Sequence, residues 1–220
     1  MLEALGYDVL LADHGDSGRT YLSKGMVKKA KEIAIKNVQA LKEVVTDETP
    51  IIGIEPSAIL TLRDEYTELV PSELKQAAKQ IAQNAFLFEE WFGKEIDRGN
   101  IKTEQFKAND TDVYIHGHCY QKSLSSIKHI KHSLAIVSGF KIEEIPSGCC
   151  GMAGAFGYEK EHYEVSMKIG SLVLFPTINQ LNRDTIIAAS GTSCRHQIKD
   201  GTGRKAKHTA EILYEALKNG

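Results

Sequence analysis

The chain lacks several features that would each have assigned it a class. No apolar run approaches the ~20 residues of a membrane-spanning helix. There is no basic excess, since 27 Lys and Arg stand against 29 Asp and Glu and the net charge is -2. A field that would attract nucleic acid or an anionic membrane surface is therefore missing. Residues Met1 to Gly6 have neither the basic n-region nor the long apolar h-region of a secretory leader. That points to the cytoplasm, with peripheral attachment at the inner membrane as the second reading. Cysteine is scarce, with four in 220 residues and none before Cys119. In a reducing compartment such cysteines are ligands or reactive thiols rather than structural disulfides. The rest is ordinary for a folded chain, with 42% hydrophobic and 25% charged residues. The length suits one large domain or two small ones, each burying its own core.

The hydrophobic pattern predicts an α/β fold with mainly parallel sheets and flanking helices. Glu3-Ala4-Leu5-Gly6 reads as a helix end with a glycine C-cap. Strands are expected at Tyr7–Ala12, Pro50–Ile54, Asp112–Gly117, Ile142–Ile145 and Thr185–Ala189. Amphipathic helices are expected over residues 26–45, 123–137 and 159–181, the last bent near Pro176. A short helical segment covers Asp64–Leu69, with Ser72 as an N-cap beyond it. Ala77, Ile81, Ala85, Phe88 and Phe92 form one helical stripe, with Trp91 beside it as a candidate contact for another domain. Gly93–Asp110 reads as a polar connection. A last helix is expected to start at Thr202 or Gly203 and to end near Leu217.

An internal repeat organises these elements. Gly6 to Gly18 aligns without a gap on Gly139 to Gly151, each copy running glycine, aromatic, strand, loop, glycine. Ile54–Ala58 aligns likewise on Ser190–Cys194. This predicts two pseudo-repeated halves, residues 1–110 (a degenerate first repeat with a connecting helix) and residues 111–220. Asp16 and Ser17 stand where Cys149 and Cys150 stand, and Ala58 where Cys194 stands. The first half thus has the frame of a cysteine site without its sulfur. Its opening strand and helix have no counterpart, so the chain is expected to be the C-terminal piece of a longer protein.

Cys119, Cys149, Cys150 and Cys194 each follow an expected strand. In an α/β sheet such loops meet at the carboxyl edge, where ligands bind. Four thiolates make a soft-metal site suited to iron–sulfur or zinc. The adjacent pair Cys149-Cys150 favours a cluster, because zinc sites prefer C-x₂₋₄-C spacing, whereas neighbouring cysteines can reach different iron atoms. Gly148, Gly151 and Gly154 permit unusual dihedrals and close approach of backbone N–H groups to an anion. The competing reading of any one cysteine is a small buried hydrophobe.

Gly148-Cys149-Cys150-Gly151-Met152-Ala153-Gly154, with Cys119 before it and Ser193-Cys194 after it, resembles the CCG signature of cysteine-rich domains. Such domains occur in heterodisulfide reductase, in the iron–sulfur subunit of glycolate oxidase and in the anaerobic glycerol-3-phosphate dehydrogenase. They also form the C-terminal part of FAD-linked 2-hydroxy acid oxidases. The resemblance to those oxidases extends through Glu55-Pro56-Ser57, Leu62-Arg63-Asp64-Glu65-Tyr66, His116-Gly117-His118-Cys119 and Gly191-Thr192-Ser193-Cys194-Arg195-His196-Gln197. It implies a [4Fe-4S] cluster, sometimes of non-cubane form, held by Cys119, Cys149, Cys150 and Cys194. It also implies an oxidoreductase component, not catalytic alone, that receives electrons from FAD on a partner domain and passes them to an acceptor. Two departures stand out. Gly191 fills the first place of the family's final C-x-x-C, and the first repeat lacks its cysteines.

Other residues are candidates of lower rank. His118 and Gly151 are expected beside the cluster, and Arg195 is expected to offset its charge. His196 reads as a loop histidine. Gly15-Asp16-Ser17-Gly18 looks like a serine nucleophile loop but does not fit G-x-S-x-G, and the repeat accounts for it. Arg63-Asp64-Glu65 reads as a solvated or salt-bridged helix face. The basic stretch Lys199–His208 reads as a solvated loop. The alternatives to electron transfer are a structural zinc or scaffold domain and a thiol enzyme using Cys149 or Cys150.

Overall fold

The computed structural model describes residues 1–218 and divides into two compact units, Asp8–Phe88 and Met1–Tyr7 with Glu89 onward. In the first unit the elements are α1 (Arg19–Ser23), α2 (Val27–Leu41), β1 (Ile51–Gly53), α3 (Pro56–Arg63), α4 (Tyr66–Leu69), α5 (Lys75–Gln83) and β2 (Ala85–Leu87). β1 and β2 pair in parallel, with Ile51 opposite Ala85. Ala30, Ala34, Val38 and Leu41 form the buried stripe of α2, spaced to fall on one helix face. Burying Val38 and Leu41 contributes about 1.5–3 kcal/mol each. Pro56 sits at the first turn of α3 and the Glu55 side chain caps it, accepting from Ser57 N. Arg63 donates to Ala85 O at 2.6 Å, and Glu65 pairs with Arg19.

The second unit contains α6 (Phe88–Asp97, beginning at the junction), β3 (Thr111–Ile115), α7 (Cys119–Leu124), α8 (Lys128–Leu134) and β4 (Phe140–Glu144). It continues with α9 (Tyr163–Gly170), α10 (Leu174–Gln180), β5 (Ile186–Ala188), α11 (Thr192–Thr202) and α12 (Thr209–Ala216). The sheet order is β4-β3-β5, all parallel. Each strand is followed by a helix, as parallel crossovers require. Phe175 locks α10 onto its neighbours, because a Cβ at Gly170 or Gly201 would collide with its ring. The Tyr7 ring packs edge-on against Trp91 at 4.8 Å, and its hydroxyl donates to Glu95 Oε2 at 2.8 Å.

The α/β class and the parallel sheets agree with the sequence reading, but several elements differ. Tyr7–Ala12 is not a strand, and Val9, Leu10 and Leu11 are exposed. Residues 8–12 pair with neither β1 nor β2, the two strands of their unit. The apolar stripe from Ala77 to Phe92 is not one helix, since β2 interrupts it. A short buried parallel strand is apolar on both faces and cannot be told from helix by periodicity. Ser72 opens a single 3₁₀ turn and caps nothing. The polar connection begins later than expected, because α6 runs to Asp97. Residues 123–137 divide into the end of α7 and α8. The long helix over 159–181 breaks between Gly170 and Leu174, and Pro176 lies in the first turn of α10, where its missing N–H costs nothing. The last helix begins at Thr209, and a further helix, α11, occupies Thr192–Thr202, where the sequence pattern shows none. Trp91 is buried against Tyr7 within its own unit rather than offered to another domain.

Candidate metal centre

The loops after β3, β4 and β5 meet at the carboxyl edge of the sheet. The His116 N–H donates to Ala188 O at 2.8 Å, and the Ile145 N–H donates to Ile115 O at 2.9 Å. These two bonds hold the three chain segments in step just past the strands. Cys119 then opens α7, Cys149 and Cys150 follow β4, and Cys194 lies in the first turn of α11. Burial increases from Cys119 (exposed) through Cys149 (half-buried) to Cys150 and Cys194 (buried). The inner two belong to the apolar cluster of Ile145, Ile187, Ala189 and Ile198.

The four sulfurs follow one another as neighbours, Cys119 beside Cys149, Cys149 beside Cys150 and Cys150 beside Cys194. The neighbouring Cys149, with burial, pushes the thiols of Cys119 and Cys150 up. Cys119 and Cys150 hold Cys149 below the ordinary thiol value, and Cys150 does the same for Cys194. Cys149 is further favoured as thiolate by the Gly151 N–H, 3.3 Å from its sulfur. Cys194 gains from the nearby rings of His116 and His118 and from its place at the positive end of α11.

The turn after the pair is tightly built. Gly151 has φ 105°, and Ala153 and Gly154 have φ 41° and 71°. A Cβ at Gly151 would collide with Ser166 O of α9 and lie 3.0 Å from Gln197 Nε2 of α11. Gln197 in turn donates to Ser166 O at 3.1 Å. Gly151 is therefore placed by close packing of α9, whereas Gly148 has open space around it. Gly18 in the first unit also has a positive φ, 79°, and a Cβ there would lie 3.4 Å from Ile33 of α2.

The remaining candidates take distinct places. His118 is buried and caps α7, its Nδ1 accepting from Tyr120 N at 3.2 Å. Arg195 donates to Ala189 O at 3.0 Å and Ser190 O at 2.7 Å, bracing the loop before α11. His196 bonds Tyr158 OH through Nδ1. Ser17 Oγ accepts from Arg19 N at 3.3 Å, a loop bond. In the basic stretch, Arg204 binds backbone carbonyls, among them Thr185 O at 2.9 Å, and His208 caps α12.

His116 is the residue that sequence reading passed over. It is buried, its Nδ1 bonds Ser147 Oγ at 2.7 Å, and its Nε2 has no hydrogen-bond partner. A ring nitrogen of His116 and the sulfurs of Cys150 and Cys194 all lie within 4.8 Å of one another. The spacing His-x-His-Cys was visible, but nothing in it separates a ligand from a cap.

This donor set fits a thiophilic metal or cluster. It brings together four neighbouring sulfurs, a backbone N–H directed at one of them and a buried imidazole beside two others. The fold and the site together give a cysteine-rich α/β scaffold whose donor set suits a soft metal. No family model matches the chain. It is 29% identical to D-2-hydroxyglutarate dehydrogenase of Pantoea ananatis over 218 residues, 99% of this chain and 20% of that protein. It is 29% identical to a subunit of the anaerobic glycerol-3-phosphate dehydrogenase of Escherichia coli K12 over 219 residues, 99% of this chain and 53% of that subunit. The D-2-hydroxyglutarate dehydrogenase of Pseudomonas putida matches at 29% over 96% of this chain and 20% of its own length. The chain thus spans about half the length of one relative and a fifth of the others, and over nearly all its own length it is similar to parts of oxidoreductases. No helix among the described residues is long and apolar enough to cross a membrane.

Proposed function

We propose that the chain is the iron–sulfur electron-transfer part of a flavin-linked oxidoreductase acting on 2-hydroxy acids. Cys119, Cys149, Cys150 and Cys194 hold a [4Fe-4S] cluster, and the second pseudo-repeat, residues 111–220, carries it. The observation that supports this most is the unbroken run of four sulfurs at the carboxyl edge of β3, β4 and β5. When bound, the cluster supplies one-electron redox chemistry. The chain's own residues hold it at an edge open at Cys119 and buried at Cys194. The Gly151 N–H donates to the Cys149 sulfur, a bond that favours the reduced, more negative state. Apolar neighbours exclude water from the inner end. In this reading the removal of hydride and proton from the hydroxy acid is not assigned to these residues. That step belongs to FAD on a partner domain of the longer protein, and the electron acceptor lies beyond it.

A structural zinc site is the second reading, favoured by the compact His116, Cys150 and Cys194 group. Purification without oxygen, with iron, sulfide and zinc analysis and a visible spectrum, separates the two. About four irons and four sulfides per chain, with brown absorbance bleached by dithionite and lost in Cys150→Ser, supports electron transfer. One zinc and no iron overturns it.

A further inference from the structure

We infer that His116 is a nitrogen ligand of this centre, seated with Cys150 and Cys194 at its buried end. The inference rests on the iron–sulfur reading above and adds a fifth donor to the four sulfurs. Among the described residues, His116, Cys150 and Cys194 are the one group of three metal-ligating side chains whose donor atoms come this close, all within 4.8 Å, and all three are buried.

The hydrogen bonds assign the histidine's form. Ser147 Oγ lies 2.7 Å from His116 Nδ1 and can send its own proton to Ile145 O at 3.5 Å. Ser147 engages Nδ1, so Nε2 is the nitrogen left to bind a metal, which it does with the ring proton on Nδ1. That nitrogen is buried and has no hydrogen-bond partner, a condition that carries a desolvation penalty until something binds it. Metal-bound histidines take this form, with one nitrogen on the metal and the other N–H held by the protein.

His118, two residues on, has the opposite arrangement. Its Nδ1 accepts the Tyr120 N–H at 3.2 Å, so the ring proton sits on Nε2. It can donate a hydrogen bond but cannot ligate through Nε2. The two neighbouring histidines thus divide the work, His116 as ligand and His118 as cap and donor. A neutral imidazole also brings less negative charge to the buried end than a thiolate would, and nitrogen ligation raises the potential of iron–sulfur centres.

The test uses the full chain carrying ¹⁵N-labelled histidine, reconstituted anaerobically with iron and sulfide, reduced with dithionite and examined by pulsed electron paramagnetic resonance. The expected result is one directly bonded histidine nitrogen, lost in His116→Ala and kept in His118→Ala. His116→Cys is expected to retain iron while the potential moves to more negative values. Wild-type protein that holds iron and sulfide but shows no bonded nitrogen, or His116→Ala that keeps it, overturns the inference and leaves the iron–sulfur reading standing. Wild-type protein that takes up neither iron nor sulfide overturns both. If His116→Ala does not fold, Ser147→Ala carries the test. Freeing Nδ1 must change the nitrogen coupling if Nε2 is bonded, and an unchanged coupling counts against it.

Discussion

Gly191 and His118 occupy one space: a Cβ on Gly191 would lie 2.5 Å from Cδ2 of the His118 ring and 3.2 Å from the Cys194 sulfur. The histidine fills what any larger residue at 191 would need. Gly191→Ala is therefore expected to displace the ring and with it the cap of α7. Overpacking of this kind costs about 1–3 kcal/mol, and the lost cap adds to it. In a Gly191→Ala/His118→Ala double variant the two costs should sum to less than the singles. Urea denaturation of the four proteins measures this, and strict additivity would show that the two sites do not share space.

The two glycines flanking Cys149-Cys150 should respond unequally. Gly151→Ala meets the backbone oxygen of Ser166 at a positive φ, so neither rotation nor a small shift relieves it. Its expected cost is about 2–4 kcal/mol, combining overpacking with left-handed strain. Gly148→Ala, in open space, should stay within about 0.5 kcal/mol of the parent. Thermal melts of both variants check the contrast.

Ser190 supports a buried carboxylate. Its hydroxyl donates to Glu89 Oε1 at 2.5 Å, Glu89 Oε2 has no partner, and His208 Nε2 lies 3.9 Å from Oε1. Ser190→Ala removes a strong bond to a group with almost no solvent access. A loss of about 1.5–3 kcal/mol is expected, the range for hydrogen bonds to charged groups. Chemical denaturation at neutral pH is the measurement.

Glu95 predicts a pH effect. Burial raises its pKa, but hydrogen bonds from Asn100, Tyr7 and Arg98 outweigh this and leave it lowered. A carboxylate with a lowered folded pKa adds stability above the ordinary glutamate value, about 4.3. That stability is lost as pH falls through the folded value. Tyr7→Phe should weaken the protein by about 1.5 kcal/mol at pH 7 and make its stability fall less steeply below about pH 4.3. Denaturation midpoints from neutral to acid pH would show the two curves converging.

The site was readable in part because sulfur and glycine are rare and stand directly after strands. Cys119, Cys149, Cys150 and Cys194 could be grouped from β3, β4 and β5 alone. The close packing at Gly151 was invisible, since Ser166 and Gln197 reach it from other helices. His116 escaped because its distinction from His118 lies in what meets Nδ1, the Ser147 hydroxyl in one and the Tyr120 N–H in the other, and the first of these is a tertiary contact. β2 and α11 were missed for opposite reasons. Ala85–Leu87 is apolar on both faces and borrowed the helix stripe around it. Thr192–Thr202 is a polar helix with glycine within it, so its pattern resembled a loop.

Gly18 keeps its left-handed turn against α2 although Asp16 and Ser17 precede it, where Cys149 and Cys150 precede Gly151. The Asn37 amide ties that sulfur-free turn by donating to Asp16 O at 2.8 Å, and Tyr66 OH donates to Ser17 O at 3.0 Å. Such a bend is therefore a matter of masonry rather than of metallurgy. If Cys149 and Cys150 hold the proposed cluster, stripping it should silence the chemistry while leaving the wall that held it upright.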